Sequence, residues 1–200
     1  MSDKIPITPL ITSPIGLEAA VQQLQVKTAT LSFMQYVFGL ADPVVTDNKI
    51  RPMVYQGLKA DELCVFPNDA LKSFAFFHLV DGNIDYNYGD PAQNQKYAKI
   101  SCRLAVIFWF NLKRIENVDY RNTKSKLRDD IVNLFARELY GQSSFLLDKT
   151  VENDLIKIYE GFDIEDNEKY ALPMHPYWAL RVEGDFWFDE SCYVAKSYNV

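Results

Sequence analysis

Between Ala98 and Leu112 the chain reads AKISCRLAVIFWFNL, and every even-numbered residue is apolar: Ala98, Ile100, Cys102, Leu104, Val106, Phe108, Phe110 and Leu112. Apolar positions repeating at period two predict a strand with one face in a core, because successive side chains of a strand point to opposite sides. The odd positions begin polar, at Lys99, Ser101 and Arg103, then turn apolar at Ala105, Ile107 and Trp109. The second face therefore becomes covered part-way along. Ile107 and Trp109 need a cover that a one-layer sheet does not supply, either the chain's own loop or arm or a second chain. A later alternation, with Trp178, Leu180, Val182, Phe186 and Phe188 inward against Arg181, Glu183 and Asp185 outward, predicts a strand paired with this one or near it.

Other segments follow the same two periods. Pro6, Pro9 and Pro14 among Ile and Leu favour an extended arm over 1–14, lying on its own domain or on a neighbouring copy. Ser13-Pro14 suits a helix start, and Leu17, Val21, Leu24, Thr28 and Leu31 recur at spacings of three and four, predicting an amphipathic helix from about 15 to 38 closed at Gly39. Asp42-Pro43 through Asn48 reads as a turn-rich connector. Short strands are predicted at Pro52–Gln56, Leu63–Phe66 and Lys72–Val80, the last with Phe74, Phe76, His78 and Val80 on one face and Ala75, Phe77 and Leu79 on the other. The short connections suggest an antiparallel meander. Asp81 to Gln95 reads as a long polar loop. A second helix, capped by Thr123 and ended by Gly141, carries the stripe Leu127, Ile131, Leu134, Phe135 and Leu139, with Ser125, Arg128, Asp129 and Asn133 outward. Leu155–Phe162 is predicted as a shorter strand.

Together these elements predict an α+β fold: an antiparallel sheet with two amphipathic helices packed on one face, preceded by the extended arm. The domain would run from 15 to 190 with a projecting loop at 81–96, leaving 191–200 as a tail. Two hundred residues suffice for such a core.

Charge narrows the partners. A formal net charge of −6 argues against nucleic acid, whose binding rests on Lys and Arg neutralising phosphates. No apolar run approaches the roughly 20 residues that span a bilayer, and MSDKIPITPL lacks a secretion signal, so the chain reads as cytoplasmic in origin. Cys64, Cys102 and Cys192 are odd in number and widely spaced, which predicts reduced thiols.

Candidate chemistry is sparse. Asp81, Asn83, Asp85 and Asn87 open like a calcium loop, but Tyr86 stands where glycine is needed and Ala92 where a bidentate Glu is needed. Asp163, Glu165, Asp166 and Glu168 read as a solvated acidic loop. His78 sits in an aromatic strand as a hydrogen-bonded buried imidazole would, and His175, between Met174 and Pro176, looks like a turn residue. A pair of Cys64 or Cys102 with His78 stays open, since such groups meet in space. No metal-binding, P-loop, dinucleotide or nucleophile-elbow spacing is present. No cofactor, metal or catalytic residue is expected, and the chain reads as a non-enzyme. The aromatics, 13 Phe, 12 Tyr and 3 Trp, suggest surfaces buried between subunits, with Tyr86, Tyr88, Tyr97, Tyr177, Tyr193 and Tyr198 as candidates.

The order of parts, with Phe66-Pro67-Asn68-Asp69, Trp109-Phe110-Asn111-Leu112 and Gly161-Phe162, resembles tailed-bacteriophage neck and tail proteins of the tail-terminator or tail-completion kind. That resemblance implies a non-enzymatic virion subunit assembled in the host cytoplasm. It would form a homo-oligomeric ring, as such proteins often do with six subunits (hexameric), and contact other neck or tail proteins. From the charge and the lack of a long apolar run, no membrane contact and no sequence-specific nucleic-acid binding are expected. The arm residues Ile5, Ile7, Leu10 and Ile11, the loop residues Tyr86 and Tyr88, and the strand residues Ile107 and Trp109 are the expected interface. The alternative expectation is a cytoplasmic small-ligand-binding or enzymatic α+β domain with a pocket between sheet and helices.

Overall fold

The computed structural model of the chain describes residues 6–56, 62–88, 98–115, 120–136, 143–163 and 175–189. Its elements are α1 (Gly16–Thr28), β1 (Tyr36–Thr46), β2 (Lys49–Val54), β3 (Leu63–Cys64), β4 (Ser73–Tyr88), β5 (Ala98–Asn111), α2 (Leu112–Ile115), α3 (Tyr120–Ala136), β6 (Ser143–Glu152), α4 (Leu155–Ile158) and β7 (Tyr177–Asp189). The fold is α+β. The described strands make one sheet in the order β3-β2-β1-β4-β5-β7-β6, antiparallel except between β1 and β4.

The alternation in β5 sets the centre. Its even positions from Ile100 to Phe110, followed by Leu112 at the start of α2, join Ala20, Val21 and Leu24 of α1 and Leu127, Ile131 and Phe135 of α3 in one buried cluster. Its odd positions Ala105, Ile107 and Trp109 belong to a second cluster on the other face, with Phe74 and Phe76 of β4 and with Leu155, Ile158, Tyr159 and Phe162. Each fully buried aromatic contributes about 1.5–3 kcal/mol of transfer free energy, so both faces of β5 are core. β4 divides as its pattern requires, Ala75 and Phe77 to the first cluster and Phe74 and Phe76 to the second.

Several expectations are corrected. The helix predicted to 38 ends at Thr28, and Tyr36–Thr46 is a strand. The run from Phe33 to Phe38 is apolar all round because Val37 and Phe38 are buried on opposite faces of the sheet, the pattern of a central strand. Ser13 does not cap α1: the cap position is Ile15, which makes no side-chain cap bond. The connector at 42–48 is largely strand. Asp47 and Asn48, both with positive φ (53° and 60°), form the two-residue turn that closes the β1–β2 hairpin between Thr46 and Lys49. The meander is broken because β4 returns to the far side of β1 and pairs with it in parallel.

The polar loop starts later than expected. β4 continues through Tyr88, pairing Ile84–Tyr88 with Cys102–Ala98 after an irregularity between Leu79 and Ile84 where Gly82 takes φ +68°. The alternation of Asp81, Asn83 and Asp85 is therefore that of a strand; among the described residues no group of three or more His, Cys, Asp or Glu side chains is placed to hold a metal ion. Residues 89–97 lie outside the described residues, as do Leu139, Gly141, Glu165, Asp166 and Glu168 of the acidic run, Cys192 and the tail.

Thr123 is buried inside α3, which begins three residues earlier at Tyr120. Leu155–Phe162 begins with a helix, α4, not a strand: the Asp154 carboxylate accepts from the Lys157 backbone N–H at its start, and Leu155, Ile158, Tyr159 and Phe162 have the i, i+3, i+4, i+7 spacing of one helical face. Before it, β6 pairs with β7 at the sheet edge, with Asp148 as an extra residue between Leu147 and Lys149. A Cβ on Gly184, opposite this bulge, would lie 2.1 Å from the Leu146 carbonyl oxygen, so only glycine lets the two backbones approach. No described helix is long and apolar enough to cross a membrane.

Candidate functional site

Beneath α4 the second face of the sheet holds a cluster of ionisable groups. Arg181 and Glu183, expected to point outward from β7, are both buried, Arg181 completely. The physical reason lies next door: β7 pairs with β5 so that Arg181 stands opposite Ile107 and Glu183 opposite Ala105, and the layer that covers those β5 residues covers their neighbours too.

Arg181 ties this layer to the sheet. Its Nη1 donates to the carbonyls of Ile158 (3.2 Å) and Glu160 (3.3 Å) at the end of α4, and its Nε to Glu183 Oε2 at 2.9 Å. Helix-end carbonyls are left without intrahelical partners, and a guanidinium satisfies them and their negative dipole end together. Glu183 also accepts from Arg103 Nε at 2.9 Å, with Lys149 Nζ at 3.8 Å. Arg103 in turn bridges to Asp148 and Asp185. Burial by itself would push the Glu183 carboxyl up, but the hydrogen bonds from Arg103 and Arg181 hold it below the usual carboxylate range.

His78, on the same face of β4 opposite Ala105, completes the cluster. Gly161, at φ +100°, turns the chain after α4 so that Phe162 packs on the imidazole with ring centroids 4.6 Å apart. A Cβ at Gly161 would lie 2.7 Å from His78 Nε2. Burial, and then the positive charge of Arg181, press the imidazole down to about 4 against a smaller opposing pull from Glu183. The ring is thus neutral at pH 7 and holds a turn in place. His78 Nδ1 and Arg181 Nη2 are buried without hydrogen-bond partners among the described residues.

The remaining candidates do not converge on it. Cys102 belongs to the cluster on the opposite face from His78, and burial pushes its thiol up to about 12; Cys64 sits at the far end of the strand order on β3. Neither is in a disulfide. His175 precedes β7, whereas His78 stands level with Glu183, six residues into that strand. At about 3.3 Å per residue, His78 lies roughly 20 Å along the sheet from the start of β7, the end at which His175 sits.

The expected interface residues fall into three places. Ile5 lies outside the described residues. Ile7 bridges Tyr36 in parallel, its N–H donating to Gln35 O and its carbonyl accepting from Val37 N, and Ile11 N–H donates to Gln22 Oε1 at 2.9 Å. The backbone of this segment is held by its own chain, while the side chains of Ile7 and Leu10 are 52% and 41% exposed. Tyr86 is 52% exposed on β4, and Tyr88 pairs with Ala98 at the described end of that strand. Ile107 and Trp109 are the correction: they are 0% and 1% exposed, and the cover they need comes from the chain's own α4, Phe162 and Tyr177, the last stacked on Trp109 at 5.7 Å. Through β5, Phe74 stands opposite Trp109 and Tyr86 opposite Ile100, so the Ile7 end and the Tyr86 end of the sheet are about 30 Å apart.

No protein-family model and no curated protein matches this chain.

Proposed function

We propose that the chain is a non-enzymatic structural subunit of a phage or phage-like particle, assembling into a homo-oligomeric ring at the neck or tail-terminator position and joining neighbouring virion proteins. In this reading α1 and α3 lie together on one face of the sheet, and the segment before α1 works as an arm. One observation carries the assembly step: among the described residues, two unlike strand edges of the sheet have no partner strand. β1 pairs with β4 only as far as Phe77, so among the described residues β4 has no partner strand from His78 to Tyr88 on the side away from β5. β6, the terminal strand of the order beyond β7, is an edge over ten residues among the described residues, with Leu146 60% exposed. Uncovered strand edges are templates for pairing with another chain. Two different surfaces meeting head to tail make a heterologous contact, which closes into a ring when the rotation allows.

The β2 edge, by contrast, is covered by its own chain: Ile50 exchanges hydrogen bonds with Asp163, and Val65 N–H donates to Pro52 O. Ile107 and Trp109 take no part in this reading. The purified chain is expected to populate a closed oligomer as its concentration rises, seen by mass photometry and negative-stain imaging. Tyr86→Lys and Leu146→Lys should each weaken that oligomer while leaving the circular dichroism spectrum and melting temperature of the fold unchanged. A chain that stays monomeric at all concentrations and makes no cross-links to other virion proteins would overturn the proposal.

A further inference from the structure

Residues 6–12, ahead of α1, cross their own domain without sharing in its core. None of the apolar residues from 6 to 15 belongs to either buried cluster, and the side chains of Ile7, Leu10 and Ile15 are exposed. The segment is held instead through its backbone. Ile7 exchanges hydrogen bonds with Gln35 O and Val37 N at the start of β1, each 2.9 Å. Two glutamines of α1 do the rest: Gln22 Oε1 accepts from Ile11 N–H at 2.9 Å, and Gln25 Nε2 donates to Pro9 O and to Val37 O, each at 2.8 Å. Gln25 is 1% exposed, so α1 and β1 offer a fixed groove that grips main chain. Any copy of the segment meets the same partners there, whichever domain it comes from.

The join to α1 is where the folded-back path is strained. The chain turns there through two left-handed residues, Ser13 at φ +55° and Gly16 at φ +54°. Gly16 enters that region freely, and a Cβ on it would meet nothing within 4 Å, so its conformation and not crowding calls for glycine. Ser13 enters it against two preferences. The Cβ of an L residue crowds the carbonyl that follows, and the residue before a proline, here Pro14, is driven toward extended backbone. Straightening Ser13 satisfies both and carries the arm away from its own groove. A short strained connection of this kind favours exchange of identical elements between copies, because the bonds made in the groove are the same and only the hinge differs. We propose that residues 6–12 are exchanged on assembly, the arm of one copy docking against Gln22, Gln25 and the Gln35–Val37 backbone of a second copy. This rests on the assembly of like copies proposed above and gives it a joint separate from the strand edges.

The test uses full-length chains in which Cys64→Ser and Cys192→Ser leave only the buried Cys102. One chain carries Ile7→Cys and another Tyr36→Cys, the two partners of the β-bridge. A chain with both substitutions, kept dilute, should be linked within itself by a short bismaleimide; failure there would mean that the arm does not dock at Tyr36 and would overturn the proposal. The two single variants, refolded together at concentrations where mass photometry shows the oligomer, should give links from position 7 of one chain to position 36 of the other. Ser13→Gly, which takes a positive φ freely, should lower the ratio of exchanged to folded-back arms about tenfold. Ser13→Val, a β-branched residue for which positive φ is an outlier, should raise it. An oligomer without links between chains, or with links that Ser13→Gly leaves unchanged, would overturn the exchange and leave the edge pairing standing. A chain that forms no oligomer would overturn both.

Discussion

Replacing His78 by phenylalanine should flatten the acid side of the stability curve. The imidazole is 5% exposed, lies against Phe162 and Gly161, and faces Arg181 and Glu183, with Arg103 and Lys149 behind Glu183. Its pKa falls from an ordinary 6.5 to about 4 on folding, so between those values the unfolded chain binds the proton and the folded chain does not. Stability therefore falls as the pH drops below 6.5, and the loss is complete once the pH is below 4. Each tenfold change in proton affinity is worth about 1.4 kcal/mol, so the full loss is about 3 kcal/mol, and a comparison of pH 7 with pH 4.5 captures about 2 kcal/mol of it. The assay is urea unfolding at both values, for wild type and His78→Phe, with m checked for constancy. Taking the difference between the two proteins removes every other carboxylate that titrates in this window, and any packing cost of the larger ring appears at both pH values alike. The variant should lose about 2 kcal/mol less than wild type on acidification. Equal losses would mean that His78 takes up its proton as readily in the folded chain as in the unfolded one, and the lowering of its pKa by burial would be refuted.

Other substitutions probe the same architecture. Gly184→Ala places a methyl 2.1 Å from the Leu146 carbonyl oxygen and should either prevent folding or cost more than about 3 kcal/mol, read as a lower urea midpoint. Trp109→Ala should cost about 3–5 kcal/mol, with the oligomer distribution of the remaining folded protein unchanged, because the residue is core and not interface. Gly161→Ala should destabilise through both its positive φ and its contact with His78; in His78→Ala the contact part of that cost should vanish, and a double-mutant cycle measures it.

Periodicity made the β5 even face, the two faces of β4, the inward face of β7 and the Leu127–Ile131–Phe135 stripe of α3 legible in the sequence. Each of those segments contrasts polar with apolar positions, and that contrast separates a period of two from one of 3.6. Where both faces are buried the contrast disappears. Phe33 to Phe38 could equally continue an amphipathic helix, and Leu155 to Phe162 supports either period until the Asp154 cap decides it. The turn at Asp47-Asn48 was written in the chain, since Asn and Asp tolerate positive φ, but Pro43 drew the boundary too early. Asp81, Asn83 and Asp85 imitate ligand spacing only because strand period and calcium-loop spacing coincide. The Arg181–Glu183–Arg103 cluster was hidden for a different reason: a charged residue in a strand reads as outward. The available signal was indirect, namely that Ala105 and Ile107 are apolar and stand beside Glu183 and Arg181.

The measurement closest to the central claim is cross-linking of the full chain, mixed from isotopically light and heavy preparations so that links between copies are distinguishable from links within one. Lys149 lies on the β6 edge, and Lys99 stands opposite Asn87 near the described end of the β4–β5 hairpin. Head-to-tail pairing of the two open edges predicts light-to-heavy links between Lys149 of one copy and Lys99 of the next, appearing together with a closed oligomer. Links confined to single copies, or only between Lys149 and Lys149, would contradict it.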